Sequence, residues 1–370
     1  MLNNLFSNIY SSSVLTLVGS FMLVYIIIPK IAWIVHSKNL IDHPDTRSAH
    51  KNATPTMAGF AFFLTLIFIV FFLKDWDTDL IGLNVIAGIT LIVAIGLKDD
   101  LVVSSPKAKL IGELMAVFFL LFCTCMQVTS LDGFLGVYQL PMIVSIGVSI
   151  LIIVTIINAY NLIDGVDGLA AVVGIVIFSI YALIFYGTGL YYYFLLCLSL
   201  IGVLLAYLRY NLSSTKKIFM GDTGSLLIGY CIGFFTLKFL AMDASLFKQF
   251  TFNPENKLII IAAILFIPLF DMIRVIGIRL LANKSPFYPD RNHVHHLLLD
   301  VGFSHFKVAF LTGFINYVLV IGFIYLASIF DSFQMMGVLT VVFVLFLGVL
   351  YVLKERVKIK NAVEVDERVE

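Results

Sequence analysis

The sequence predicts an all-α polytopic membrane protein of about eleven transmembrane helices, with its functional site built from cytoplasmic loops and helix ends. Three observations carry this expectation. Of 370 residues, 61% are hydrophobic and only 13% charged, whereas soluble domains average roughly 45–50% and about 25%. Apolar runs long enough to cross a hydrocarbon core of about 30 Å recur along the whole chain. The basic residues are sorted to one side. A soluble protein is thereby excluded, and no large extramembrane domain fits. Residues 1–353 read as a single integral membrane domain and 354–370 as a charged cytoplasmic tail.

Spans are expected near 13–35, 57–73, 80–97, 110–127, 141–160, 169–188, 190–208, 223–241, 258–281, 308–328 and 334–353. An odd number places the termini on opposite faces. The loops near 36–56, 98–109, 161–168, 209–222 and 282–307 then share a face with the tail. Of 24 Lys and Arg residues, only Lys74, Lys238, Lys248 and Lys257 fall opposite, and the positive-inside rule makes the loop-bearing face cytoplasmic. All seven histidines lie on it as well. Histidine has no topological preference of its own, so this clustering marks a polar site. The net charge of +1 gives no bias toward nucleic acid, and no nucleic-acid partner is expected. Lys30, the first basic residue, follows a long apolar run, so the first span does not read as a cleaved signal peptide. Cys123, Cys125, Cys197 and Cys231 sit in apolar runs without metal-ligand spacing and read as small buried hydrophobes rather than disulfide partners.

Asp99 and Asp100 end an apolar run, with Lys107 and Lys109 one short loop later. Adjacent carboxylates there are either a solvated span end or a site for Mg²⁺ and phosphate, since Mg²⁺ takes one or two carboxylates plus phosphate oxygens. Asn158, Asn161, Asp164 and Asp167 recur every third residue. Over nine residues such a row rotates by about 180° around a helix, so the four converge only where the helix breaks. Gly165 and Gly168 supply a break. An EF-hand calcium loop is excluded by the missing alternation and closing Glu. Asp222, in Met220-Gly221-Asp222-Thr223-Gly224-Ser225, either caps the following helix or holds a metal beside backbone amides that approach a diphosphate. Asp290-Arg291-Asn292-His293-Val294-His295-His296 packs an arginine and three histidines into one inner loop. With no cysteine on that face, phosphate oxygens suit it better than zinc. Asp271 and Arg274 lie inside a span at helical spacing, as a functional pair or a structural ion pair.

These motifs, with Asp42-His43-Pro44-Asp45-Thr46-Arg47, His50 and Pro55, resemble those of the polyprenyl-phosphate N-acetylhexosamine-1-phosphate transferases, in order from about residue 42 to 300. The resemblance implies a Mg²⁺-dependent enzyme of the bacterial inner membrane, with Mn²⁺ as a substitute metal. It would move an N-acetylhexosamine 1-phosphate, GlcNAc-1-phosphate first among them, from a UDP-sugar to undecaprenyl phosphate. UMP leaves, and the product starts a cell-envelope glycan such as O-antigen or teichoic acid. Membrane lipids and a second copy of the chain are the other partners implied. By the same resemblance, Asp222 and Asp100 would hold the metal and Asp99 would orient or deprotonate the acceptor. Arg291, His293, His295 and His296 would hold phosphate oxygens, His293 among the catalytic groups and His50 among the substrate-binding ones. Asn158, Asn161, Asp164 and Asp167 would shape the nucleotide pocket, and Lys109 would add positive charge. Ala58, Ser104 and Glu113 depart from residues common in the family, which puts local packing in question rather than a charged site residue. The rivals are the phospho-MurNAc-pentapeptide transferases, which carry a different histidine motif, and a cation-coupled secondary transporter. A transporter's ionisable residues belong near the bilayer midplane, whereas here nearly all lie at span ends.

Overall fold

The computed structural model describes residues 8–38, 41–42, 54–102, 104–286, 288, 290 and 292–366. Thirteen α-helices form among them: α1 (Ile9–Ser37), α2 (Ala58–Phe72), α3 (Gly82–Leu101), α4 (Pro106–Leu121), α5 (Met142–Leu162), α6 (Leu169–Gly187), α7 (Tyr191–Asn211), α8 (Gly221–Ala241), α9 (Lys257–Ile264), α10 (Phe266–Leu281), α11 (Val294–Val301), α12 (His305–Leu326) and α13 (Ser332–Asp366). Four short 3₁₀ turns and two antiparallel strand pairs complete the described elements, the pairs being β1 (Ile41–Asp42) with β2 (Thr54–Pro55), and β3 (Ser130–Phe134) with β4 (Val137–Gln139). Eight helices are long and apolar enough to cross a membrane, and α9 with α10 would make a ninth span bent by 70°. The shorter α2 and α4, of 15 and 16 residues, occupy the two remaining expected spans. The chain is thus an all-α polytopic membrane protein.

Local chemistry starts and stops these helices. Ser105 caps α4 by accepting from the Ala108 amide, with Pro106 in the first turn, where a missing N–H costs nothing. Asp77 caps α3 through the Ile81 and Gly82 amides at 3.0 and 2.7 Å. At the bend, Asn316 of α12 reaches the break with both ends of its carboxamide, donating to Ile264 O at 3.0 Å and accepting from the Ile267 amide at 3.3 Å. This satisfies backbone groups that a broken helix would leave unpaired in an apolar interior.

Helix α8 is the axis of the molecule. Every residue from Thr223 to Leu240 is buried, with α2, α3, α5 and α6 packed around it. Absent side chains permit that closeness. A Cβ on Gly59 would collide with the Gly224 backbone, and one on Gly96 would lie 2.5 Å from Thr223 Cα. Small residues of this kind let helices associate where no water-driven force separates protein from lipid. Below the amino-terminal end of α8 runs an aromatic column of Phe178, Tyr181, Phe185, Tyr193, Phe234 and Phe235, whose neighbouring centroids lie 4.9–6.2 Å apart. Its buried Tyr181 hydroxyl is bonded to Thr236 Oγ1 at 2.7 Å. In contrast, α13 has little of its apolar window buried and packs by one face, with Phe343 and Phe346 against Phe266 and Phe270, as a peripheral, partly lipid-facing helix would.

The opposite end of the bundle is closed by ion pairs. Asp79 accepts from Tyr193 Oη and Lys238 Nζ, each at 2.5 Å. Buried Lys257 pairs with Asp132 and donates to the Leu240 and Met242 carbonyls at 2.9 Å. One expectation is corrected here. Cys123 and Cys125 form a disulfide, because α4 ends at Leu121 and a tight turn, not a span, carries both residues. Cys197 and Cys231 are free and buried.

Candidate active site

Adjacent residues on a helix point about 100° apart, and at the end of α3 this separates two carboxylates into two roles. Asp100 turns toward the start of α8. Its Oδ1 accepts from the Asp222 amide at 2.7 Å, and its Oδ2 from the Thr223 amide and hydroxyl at 3.1 and 2.5 Å. The free amides at a helix start need such a partner, and the positive end of the helix dipole favours a carboxylate there. Gly221 makes this possible: its φ is +69°, and a Cβ would sit 2.7 Å from Asp100 Oδ2. The amides expected to approach a diphosphate are therefore those that Asp100 occupies.

Asp99 turns the other way. It accepts from the Ser104 amide at 2.6 Å and from Lys109 Nζ at 3.4 Å. The same ammonium donates to Asp222 Oδ2 at 3.1 Å and to Asn161 Oδ1 at 3.4 Å. Asn161 in turn donates to Asp222 Oδ1 and Ser225 Oγ, both at 2.7 Å. Four helices, α3, α4, α5 and α8, so bring Asp99, Lys109, Asn161 and Asp222 to one point. Asn158 faces away from it, donating to Glu113 Oε2 at 2.7 Å and to Val154 O at 2.9 Å.

The row from Asn158 to Asp167 does break, at Ile163, where α5 ends. Gly168 takes φ +79° and donates its amide to Asn211 Oδ1 at 2.6 Å, while Asn211 Nδ2 donates to Ile218 O at 3.0 Å. This buried asparagine ties the turn to the loop before α8. Asp167 meets Lys217 at 2.7 Å and His305 at 2.8 Å. Burial would raise its carboxyl, but the bonds to His305 and Lys217 hold it below the usual range. Asp164 is driven the opposite way: burial, then the charges of Asp222, Asp100 and Asp167, push it well above. The turn thus lies within Coulombic reach of the carboxylate centre.

The histidine loop is anchored from inside the membrane domain. Asp271 accepts from the Val294 amide at 2.9 Å, pairs with His293 Nδ1 at 2.8 Å and with Arg274 at 3.2 Å. Arg274 also bonds Asn292 O. Arg279 clamps Asp290 at 3.0 Å and Pro286 O at 2.5 Å. Against its partial burial, Arg279 and then the Asn292 amide lower the Asp290 carboxyl to about 2. The clamp is therefore complete above the usual 3.8 and is lost only as pH falls toward about 2. His293, His295 and His296 form a buried cluster with centroids 4.4–6.5 Å apart. His295 closes over the turn, since a Cβ on Gly165 would lie 2.5 Å from its Nε2. Burial, reinforced by its two neighbouring histidines and Arg274 and opposed by Asp271, lowers His295 to about 3. It is uncharged at neutral pH. Its ring resonances are expected to stay constant from pH 8 to about 5 in an NMR titration; a midpoint in that interval would refute the assignment. His50 and Arg291 lie outside the described residues.

Asp99 and Asp222 fit a hard divalent cation. Their hard oxygen donors converge on one positive group, and two carboxylates completed by phosphate oxygens are a usual Mg²⁺ ligand set. Asp100 has both oxygens committed to α8. Among the described residues, no three His, Cys, Asp or Glu side chains form a metal cage. Thr223, Ser225, Asn211, Lys217, His305, Arg279 and Asp290 support the site without having been assigned to it from the sequence. Thr223, Ser225 and Asp290 lie within the motifs singled out there, and Lys217, Arg279 and His305 left a signal as charge or histidine on the inner face; Asn211 left none.

The glycosyl transferase family 4 profile matches residues 82–240, which contain the whole carboxylate centre. The chain is 33% identical over 308 residues to a Bacillus subtilis (strain 168) protein named a probable undecaprenyl-phosphate N-acetylglucosaminyl 1-phosphate transferase, covering 82% of both. It is 30% identical to the undecaprenyl-phosphate alpha-N-acetylglucosaminyl 1-phosphate transferase of Escherichia coli (strain K12), over 72% of this chain and 70% of the relative. The same identity links it to the decaprenyl-phosphate N-acetylglucosaminephosphotransferase of Mycobacterium tuberculosis (strain CDC 1551 / Oshkosh), over 72% and 71%. With the carboxylates of α3 and α8 gathered on one lysine and relatives alike over most of their length, the chain belongs to glycosyl transferase family 4, in the group of polyprenyl-phosphate N-acetylglucosamine-1-phosphate transferases.

Proposed function

We propose that the protein transfers GlcNAc-1-phosphate from UDP-GlcNAc to undecaprenyl phosphate on the cytoplasmic face of a bacterial inner membrane, releasing UMP. The observation that carries this reading is the convergence of Asp99, Asp222, Lys109 and Asn161 at one end of the bundle. That end also bears the Asp164 turn and the histidine cluster.

A phosphate monoester is largely dianionic at neutral pH, with a second pKa near 6, so the lipid phosphate attacks without a strong base. Its oxygen bonds to the sugar-bearing phosphorus, and the bridging oxygen leaves with UMP. Mg²⁺ held by Asp99 and Asp222 would neutralise the diphosphate charge. The protein's remaining work is positioning, the main task in phosphoryl transfer. Asp100 fixes the first turn of α8 and so aims Asp222. Asn161 orients the Asp222 carboxylate, and Asp99 sits where it can align the acceptor. Asp271 holds the His293 ring at Nδ1 and leaves Nε2 for substrate. His295 and His296, with Arg291, supply donors to sugar and phosphate oxygens, and the turn bearing Asp164 and Asp167 borders the nucleotide. Two further observations support the cytoplasmic orientation: the basic residues crowd this face, and the Cys123–Cys125 disulfide lies at the other end, where an oxidising compartment preserves it.

The test is UMP release from vesicles of both orientations containing undecaprenyl phosphate. UDP-GlcNAc or a close epimer added outside is expected to turn over in inverted vesicles and not in right-side-out ones. UDP-MurNAc-pentapeptide is expected to give no product, because donor choice must rest on contacts to the sugar and its substituents, and the short loop dense in Arg and His suits a compact HexNAc. Efficient turnover of that donor would move the chain to the peptidoglycan branch.

A further inference from the structure

The Lys109 ammonium stands where a divalent cation between Asp99 and Asp222 would stand, 3.4 and 3.1 Å from their oxygens. Like charges exclude joint occupancy, so cation entry must move the lysine. Its side chain is only 16% exposed, and a buried ammonium stripped of its acceptors is costly. Asn161 Oδ1, at 3.4 Å, is a neutral acceptor already beside it, but only a further carboxylate within the protein would replace the charge of the two it leaves. Glu113 lies one helical turn along α4, at the i+4 spacing that brings Lys and Glu side chains together. It is fully buried. Its Oε2 accepts from Asn158, whereas Oε1 has no hydrogen-bond partner among the described residues. Glu113 is also within Coulombic reach of Lys109.

We propose that Glu113 receives the Lys109 ammonium when a divalent cation enters between Asp99 and Asp222, so that metal binding proceeds by exchange of lysine from one carboxylate pair to a waiting third carboxylate. This rests on the metal reading above. Lys109 then guards the two carboxylates until the cation arrives. Asn158 is part of the device, because its bond to Oε2 aims Oε1. Glu113 is a positioning residue: it acts through Lys109 and does not touch the metal.

A double-mutant cycle on the purified full-length protein tests this, with Mn²⁺ as the probe and the free ion followed by electron paramagnetic resonance. Glu113→Gln keeps the shape and the Asn158 contact but removes the charged acceptor. It is expected to weaken Mn²⁺ binding by about tenfold, the worth of one charge-assisted hydrogen bond. Lys109→Met removes the group to be displaced, so Lys109→Met and the Lys109→Met/Glu113→Gln double variant are expected to bind Mn²⁺ equally. Wild-type affinity in Glu113→Gln would overturn the exchange. So would a penalty that persists without Lys109, since Glu113 would then act on the cation by its charge alone. Absence of Mn²⁺ binding in every variant, wild type included, would instead remove the metal reading itself.

Discussion

Asp222→Asn is expected to lower kcat by about a thousandfold or more while the protein still folds and inserts. The substitution is isosteric and leaves the Asp222 amide on Asp100. Asn161 and Lys109 keep their other partners, Ser225 and Asp99. What disappears is one of the two carboxylates that converge at the centre. UMP release at saturating donor measures the loss, and an unchanged thermal melting curve separates it from misfolding. Asp100→Asn should behave differently. An amide nitrogen in place of Oδ1 or Oδ2 would face a backbone N–H of α8, so a lower melting temperature should accompany its loss of activity. Near-normal turnover of Asp222→Asn at limiting Mg²⁺ would refute the assignment.

Gly59→Leu is expected to abolish folded protein. Any side chain at this position enters the Gly224 backbone, and neither helix can retreat, because α8 is packed on several sides. Overpacking of a tight core typically costs 1–3 kcal/mol; with backbone as the obstacle, the cost should reach about 3 kcal/mol or more. That is a large part of a typical protein's stability. Size-exclusion of detergent-solubilised protein reads the outcome as loss of the monodisperse peak. Gly322→Leu, at a position with nothing within 4 Å, is the control and should leave the peak intact. A folded, active Gly59→Leu protein would show that α2 and α8 do not approach as described.

The fold was legible because a membrane span is a local signal. Length and hydrophobicity located a helix at each of the eleven expected spans, even where α2 and α4 fall short of a full span. The site was legible in part. Asp99, Lys109, Asn161 and Asp222 stand out as charged or polar groups at span ends, and they do meet. Their division of labour was hidden because it depends on long-range pairing. Asp99 and Asp100 look equivalent in sequence, and only an amide 122 residues away tells them apart. Asn158 belongs to the same repeating row as Asn161, yet the helix turns it toward Glu113, 45 residues back. Asn211 carries no sequence signal at all, since a lone asparagine at a helix end reads as ordinary. The two cysteines were misread because the apolar run continues past Leu121 while the helix does not.

The aromatic column beneath the carboxylates has an electrical consequence. An ionisable cluster at one surface of an energised membrane becomes a leak wherever hydroxyls, carboxylates or water connect it to the far side. Here the rings of α6, α7 and α8 fill that path, and the buried Tyr181 hydroxyl is bonded to Thr236, whose own hydroxyl donates to the Ile232 carbonyl at 2.8 Å within its helix. Among the described residues, the Tyr181 and Thr236 hydroxyls end on a helix carbonyl rather than leading on through the axis of the bundle. Rings packed in this way would insulate a charged reaction at one surface from the gradient across the membrane.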